Sequence, residues 1–132
     1  MSRASVLARG RAAALAGMDD TCRITRVTSV VTDPDTGVQT PTTETVYEGV
    51  CRVQQRSASG TRPTDAGEAY ALMLRLELQL PNSATGIVVG DVAELLTSVN
   101  DSDLVGRLFR VHDLAHKSEA TARRIGVEEV TG

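Results

Sequence analysis

Two histidines, two cysteines and a few paired carboxylates are the groups in this 132-residue chain that could carry chemistry. His112 and His116 are four residues apart, a spacing that on a helix presents two imidazoles to one metal ion. Here they follow Leu108-Phe109-Arg110-Val111, which reads as a strand running into a turn, and no cysteine is near. Surface or interface histidines are the expectation. Asp33 and Asp35 could open a calcium loop, but the oxygen ligands that should follow are missing. Asp33-Pro34-Asp35-Thr36-Gly37 instead predicts a tight turn, with Pro and Gly supplying the special dihedrals.

Cys22 and Cys51 could pair, but a chain made in the cytoplasm keeps thiols reduced, which predicts two small buried hydrophobes. There is no Gly-x-Ser-x-Gly elbow around any serine, no phosphate loop and no Gly-x-Gly-x-x-Gly. Glu128-Glu129 reads as a solvated strand end rather than a general acid–base pair. These residues predict neither an enzyme nor a bound metal or cofactor.

The composition narrows the partners. The net charge of −3 argues against bulk nucleic-acid binding, which needs a basic excess. The aromatics are Tyr47, Tyr70 and Phe109, so the core must be aliphatic and there is no platform for stacking bases. Apolar residues make up 41%, enough for one modest core in a single domain spanning residues 1–132. No apolar run approaches the roughly 20 residues of a membrane span, and Val6-Leu7-Ala8 is too short for a signal-peptide core.

The elements that must position these groups are mostly strands. From Leu72 to Leu80 every second residue is leucine, with Met73, Arg75, Glu77 and Gln79 between them. Such alternation predicts one apolar and one mostly polar strand face, and Pro81 ends the strand. Residues 21–31 and 42–54, joined by the 33–37 turn, predict a first hairpin, with a bulge or bend at Gly49. Short strands are further expected at 87–89, at 92–96, from Leu104 to about Leu114, and at 124–130. Several short strands with turns between them predict a mainly β fold, a small, partly closed antiparallel β-barrel.

Two stretches stand apart. Within residues 1–18, the run 2–16 predicts a short α-helix with Val6, Leu7, Ala14 and Leu15 on one broad face. A helix that short is marginal alone and must dock on something. Its Arg3, Arg9 and Arg11 have no acid before Asp19, which suits either a solvated helix face or an inter-subunit arm reaching an acidic neighbour. Residues 55–69 are small and polar with no hydrophobic period, predicting a long inter-strand loop that projects.

In chain order, an Arg/Ala-rich helix is followed by Cys-Arg-Ile-Thr-Arg (22–26), Asp-Pro-Asp-Thr-Gly (33–37), Tyr-Glu-Gly-Val-Cys-Arg-Val (47–53) and the polar loop. Leu-Arg-Leu-Glu-Leu-Gln-Leu-Pro (74–81), Val-Gly-Asp-Val (89–92), Leu-Val-Gly-Arg-Leu-Phe-Arg-Val (104–111) and His-Lys-Ser-x-Ala-Thr-Ala-Arg-Arg (116–124) complete it. Over almost its whole length this order resembles the small head-to-tail connector proteins of long-tailed actinobacterial phages, of the head-closure or stopper type.

That resemblance implies a structural protein of the virion neck, made in the host cytoplasm. It would form a homo-oligomeric ring under the portal and adaptor proteins, retain packaged double-stranded DNA, and dock the tail terminator or tail tube. The long loop would point into the channel with Arg56, Ser57, Ser59, Gly60, Arg62, Pro63, Asp65 and Gly67. Arg56 and Arg62 would approach DNA phosphates. The alternatives are a tail terminator or another neck connector and, less favoured, an OB-like nucleic-acid-binding module, for which the aromatics and a basic groove are lacking.

Overall fold

Period-two alternation is answered by antiparallel strands that join edge to edge into a closed ring in the order β1-β2-β3-β6-β5-β4. The strands are β1 (Asp20–Thr32), β2 (Gln39–Gln55), β3 (Leu76–Leu80), β4 (Val92–Thr97), β5 (Leu108–Asp113) and β6 (Arg123–Val130). A helix, α1 (Arg3–Ala16), precedes them, and a 3-10 turn at Ser102–Leu104 lies between β4 and β5. This computed structural model describes residues 2–55, 76–116 and 118–130.

Closure depends on β1, whose residues 21–25 pair with β4 on one side while the strand pairs with β2 on the other. Closing the ring removes the free edges that an open sheet of this size would present. Alternate side chains from every strand fill the interior: Cys22 and Ile24, Cys51, Leu78 and Leu80, Ala93 and Leu95, Phe109 and Val111, Ile125 and Val127. Ala84 and Ile87, from the β3–β4 connection, join the same cluster. Among the described residues Phe109 is the one aromatic wholly buried there, and small residues such as Cys22, Cys51 and Ala93 balance its volume, as the taper of a small barrel requires.

Several expectations need correction. Residues 87–89 are not a strand. Gly86 and Gly90 both take left-handed dihedrals (φ 86° and 99°), and the Asp91 amide bonds back to the Val88 carbonyl at 3.2 Å. The strand expected from Leu104 starts at Leu108, because Gly106 and Arg107 turn back onto Leu95 through bonds of 2.7 and 3.1 Å. Glu77, assigned to a polar face, is buried between Leu76 and Leu78 in sequence. Leu72, Met73, Leu74 and Arg75 lie outside the described residues, so the described part of the leucine strand is β3. The bulge near Gly49 falls instead at Val46, where the β1–β2 register shifts between Ile24 and Thr25. Gly49 itself pairs with Cys22, and the Tyr47 ring lies over it: a Cβ there would come within 2.9 Å of the phenol oxygen.

The helix forms where Ser2 caps it, its hydroxyl accepting from the Ser5 amide at 3.1 Å. It buries far less than its apolar residues suggest. Val6 and Leu15 are exposed, and no helix residue is fully buried.

Candidate functional site

Among the described residues, the largest departure from a plain barrel is the β1–β2 hairpin. β4 leaves β1 at Thr25↔Val92, yet β1 and β2 stay paired out to Thr32↔Gln39. Seven further residues at about 3.3 Å each carry the tip roughly 20–25 Å beyond that last rung. Every residue from 27 to 45 is exposed, including Val27, Val30, Val31 and Val38. A two-stranded ribbon is marginal on its own, and this one is stiffened by β-branched residues and secured at both ends.

At its tip, the Asp33 carboxylate accepts from the Asp35 amide at 2.8 Å, and the Gly37 amide bonds the Asp33 carbonyl at 2.8 Å. The Asp35 amide, with smaller help from Thr36, holds the Asp33 carboxyl below the usual carboxylate range. At its root, two register shifts, Ile24/Thr25 and Val27/Ser29, bend and twist the ribbon as it leaves the barrel.

Between those shifts sits Arg26. Its Nε and Nη2 donate to the two carboxylate oxygens of Asp91, each at 2.9 Å, and Nη2 also reaches the Gly86 carbonyl at 2.7 Å. Asp91 is 1% exposed, and the Val88 amide donates to its Oδ2 at 2.9 Å. A two-pronged guanidinium–carboxylate pair is directional as well as strong. It ties the ribbon's root to the 86–91 loop, and the bond to Asp91 raises the Arg26 pKa.

A second feature gathers around the 114–124 segment. Arg11, His116, Arg123 and Arg124 line a cavity of about 160 Å³, together with Asn82 and Glu119. Arg11 Nε donates to the Ala120 carbonyl and Arg123 Nε to the Asn82 carbonyl, both at 3.2 Å. Each fork is thus held by its Nε, which leaves its terminal N–H groups to serve the cavity. Glu119, the acid of this group, is taken by Arg3 at 2.9 Å. Helix α1 lies close against this segment, since a Cβ at Gly10 would meet the Thr121 Cγ2 at 2.7 Å. Ala115 and Glu119 adopt left-handed dihedrals there (φ 45° and 57°), an uncommon state outside glycine. A hollow of about 220 Å³ adjoins it, sharing Leu114, His116 and Arg123 and reaching Gly86 and Val88. The basic cavity is therefore on the rim that carries the ribbon's root.

Of the residues singled out in the sequence, Arg3 and Arg11 contact the chain's own 119–120 segment, while Arg9 is exposed. Arg56, Ser57, Ser59, Gly60, Arg62, Pro63, Asp65 and Gly67 lie outside the described residues. His112 and His116 are both exposed, and only His116 enters the cavity. Glu129 pairs with Arg107 at 2.6 Å, and Glu128 is exposed. Cys22 and Cys51 are buried and free; the hydrogen bond with Cys22, then burial, pushes the Cys51 thiol up. Among the described residues no group of three or more His, Cys, Asp or Glu could hold a metal, and no helix is long and apolar enough to cross a membrane. Sequence reading missed the Arg26–Asp91 pair and the basic cavity. Their members stood separately in the sequence, Arg26 in Cys-Arg-Ile-Thr-Arg, Asp91 in Val-Gly-Asp, Arg11 in the helix and Arg123-Arg124 after His116, with no local signal to join them.

The fold is similar to the solution structure of protein SF1141 from Shigella flexneri 2a, with a TM-score of 0.55 at 15% identity over 85% of this chain and 92% of that one. No curated protein matches the sequence. The profile of a family of unknown function, DUF6093, matches residues 10–128, and the chain belongs to that family.

Proposed function

We propose that this chain is a structural protein of the phage neck, a head-closure connector that assembles as a ring between head and tail. The observation that supports this reading is the projecting ribbon. A 132-residue barrel that extends β-branched, uncharged strands well clear of its own core is built for contact with another macromolecule. The order of motifs along the chain, which resembles the stopper type of connector, supplies the identity of that assembly. In this reading the protein performs no catalysis and takes no cofactor. Its partners are further copies of itself, the portal or adaptor above, the tail terminator or tail tube below, and the packaged DNA in the channel.

Electron microscopy of lysates from a phage lacking the gene tests the proposal. Tailless heads that have lost their DNA, beside free tails of normal length, are expected. Tails of uncontrolled length would reassign the chain as a tail terminator, and complete virions would overturn the neck reading. Removing residues 61–67 is expected to spare folding while impairing DNA retention or tail joining.

A further inference from the structure

The ribbon ends in carboxylates, and the rim at its root carries guanidinium groups with N–H donors to spare. Between Arg26 and Glu44 the only charged residues are Asp33 and Asp35, both exposed at the tip. The cavity walls offer Arg11, Arg123 and Arg124, with Arg11 and Arg123 already oriented by carbonyl bonds through Nε. Arg124 is exposed and forms no ion pair among the described residues. An anchored fork loses less freedom on meeting a carboxylate than a loose lysine would, and its geometry matches two carboxylate oxygens.

We infer that these are the two halves of one contact between copies of this chain: the Asp33–Asp35 tip of one copy seats in the Arg11, Arg123 and Arg124 cavity of the next.

Reach decides that the occupant comes from another copy. The ribbon holds its tip roughly 20–25 Å from the rim, whereas the cavity adjoins the root through Gly86 and Val88, so a chain cannot fill its own cavity. Charge decides the polarity: acid tip to basic rim is a head-to-tail contact using two different patches, and such contacts repeat until they close a ring or run on as a filament. The stem between tip and root is free of charge, and among the described residues its outer edges are unpaired beyond residue 25. Val27, Val30 and Val31 are exposed there for burial against the neighbour. The Arg26–Asp91 pair, by fixing the direction in which the ribbon leaves, sets the angle between successive copies. This contact rests on the ring proposed above and names its surfaces.

The test is a charge swap, read by sedimentation velocity of the purified full chain from micromolar to millimolar concentration. The wild type is expected to self-associate, more weakly as salt rises. Asp35→Arg or Arg124→Glu alone is expected to raise the dissociation constant about tenfold, and the double variant to recover most of the loss. Both side chains are exposed, and unchanged melting of each variant would confirm that folding is intact. A wild type that stays monomeric throughout, association indifferent to either reversal, or a swap that restores nothing would overturn the contact. So would Arg124→Glu abolishing binding of duplex DNA while leaving self-association unchanged, since the cavity would then serve phosphates. Normal virions from the knockout phage would remove the neck reading alone and leave a successful swap standing.

Discussion

Arg26 and Asp91 meet through two parallel bonds of 2.9 Å at the point where the ribbon leaves the barrel. They are 65 residues apart in sequence, and Asp91 is almost fully enclosed. The pair joins strand β1 to the loop before β4, so the loop conformation and the ribbon direction depend on one another. Asp91 also accepts from Val88, which makes the carboxylate the centre of the arrangement.

Replacing Asp91 by Ala removes the acceptor of three donors: the Val88 amide loses its partner, and Arg26 keeps only the Gly86 carbonyl. The expected loss is about 1–3 kcal/mol of folding stability, read by chemical denaturation. Amide exchange should rise at residues 86–91 and at the ribbon's root while the barrel interior stays protected. Unchanged exchange at the root would show that the pair does not hold the ribbon.

Tyr47 gives a pH dependence with a definite sign. Burial, with smaller contributions from Cys22 and Cys51, pushes its phenol up to about 12. Its hydroxyl donates to the Val50 carbonyl at 2.7 Å. An acid whose pKa is higher folded than unfolded stabilises the fold fully below the unfolded value, here about 10. That contribution fades as pH climbs through the folded value. Melting temperature should therefore fall between these limits in wild type. Tyr47→Phe should lose about 1 kcal/mol at neutral pH and show a smaller alkaline decline.

Gly10 has a steric reason to be glycine, because any Cβ there would press on Thr121. Gly10→Leu improves helix propensity by up to about 1 kcal/mol yet should lift α1 off the 118–122 segment. Faster proteolysis at residues 3–16 with an unchanged barrel melting temperature is the expected result. Slower proteolysis would mean that the helix docks elsewhere.

The buried thiols should be silent. Because Cys22 and Cys51 are both enclosed and the Cys51 pKa is raised, a thiol reagent should label neither in the native protein at pH 8 and both after denaturation. Native labelling at a rate independent of denaturant would place one of them at the surface.

Much of the barrel is legible in the order of residues alone. Cys22 and Ile24, Ala93 and Leu95, and Ile125 and Val127 alternate as half-buried strands must, and Asp33-Pro34-Asp35-Thr36-Gly37 announces its turn. These are local signals, each set by a residue and its immediate neighbours. Ring closure is not local. It rests on β1 pairing with β4 and β3 with β6, between residues far apart in the chain. Residues 26–32 resemble 21–25 in composition, yet only the earlier ones lie inside the barrel, because β4 ends its pairing at Val92. Arg11 shares a cavity with Arg123 and Arg124 only because α1 folds back on the far end of the chain. The order of side chains along each strand determined which residues could be inside. The distance over which neighbouring strands stay paired, a property of the closed sheet as a whole, decided where the ribbon begins and which charges stand beside it.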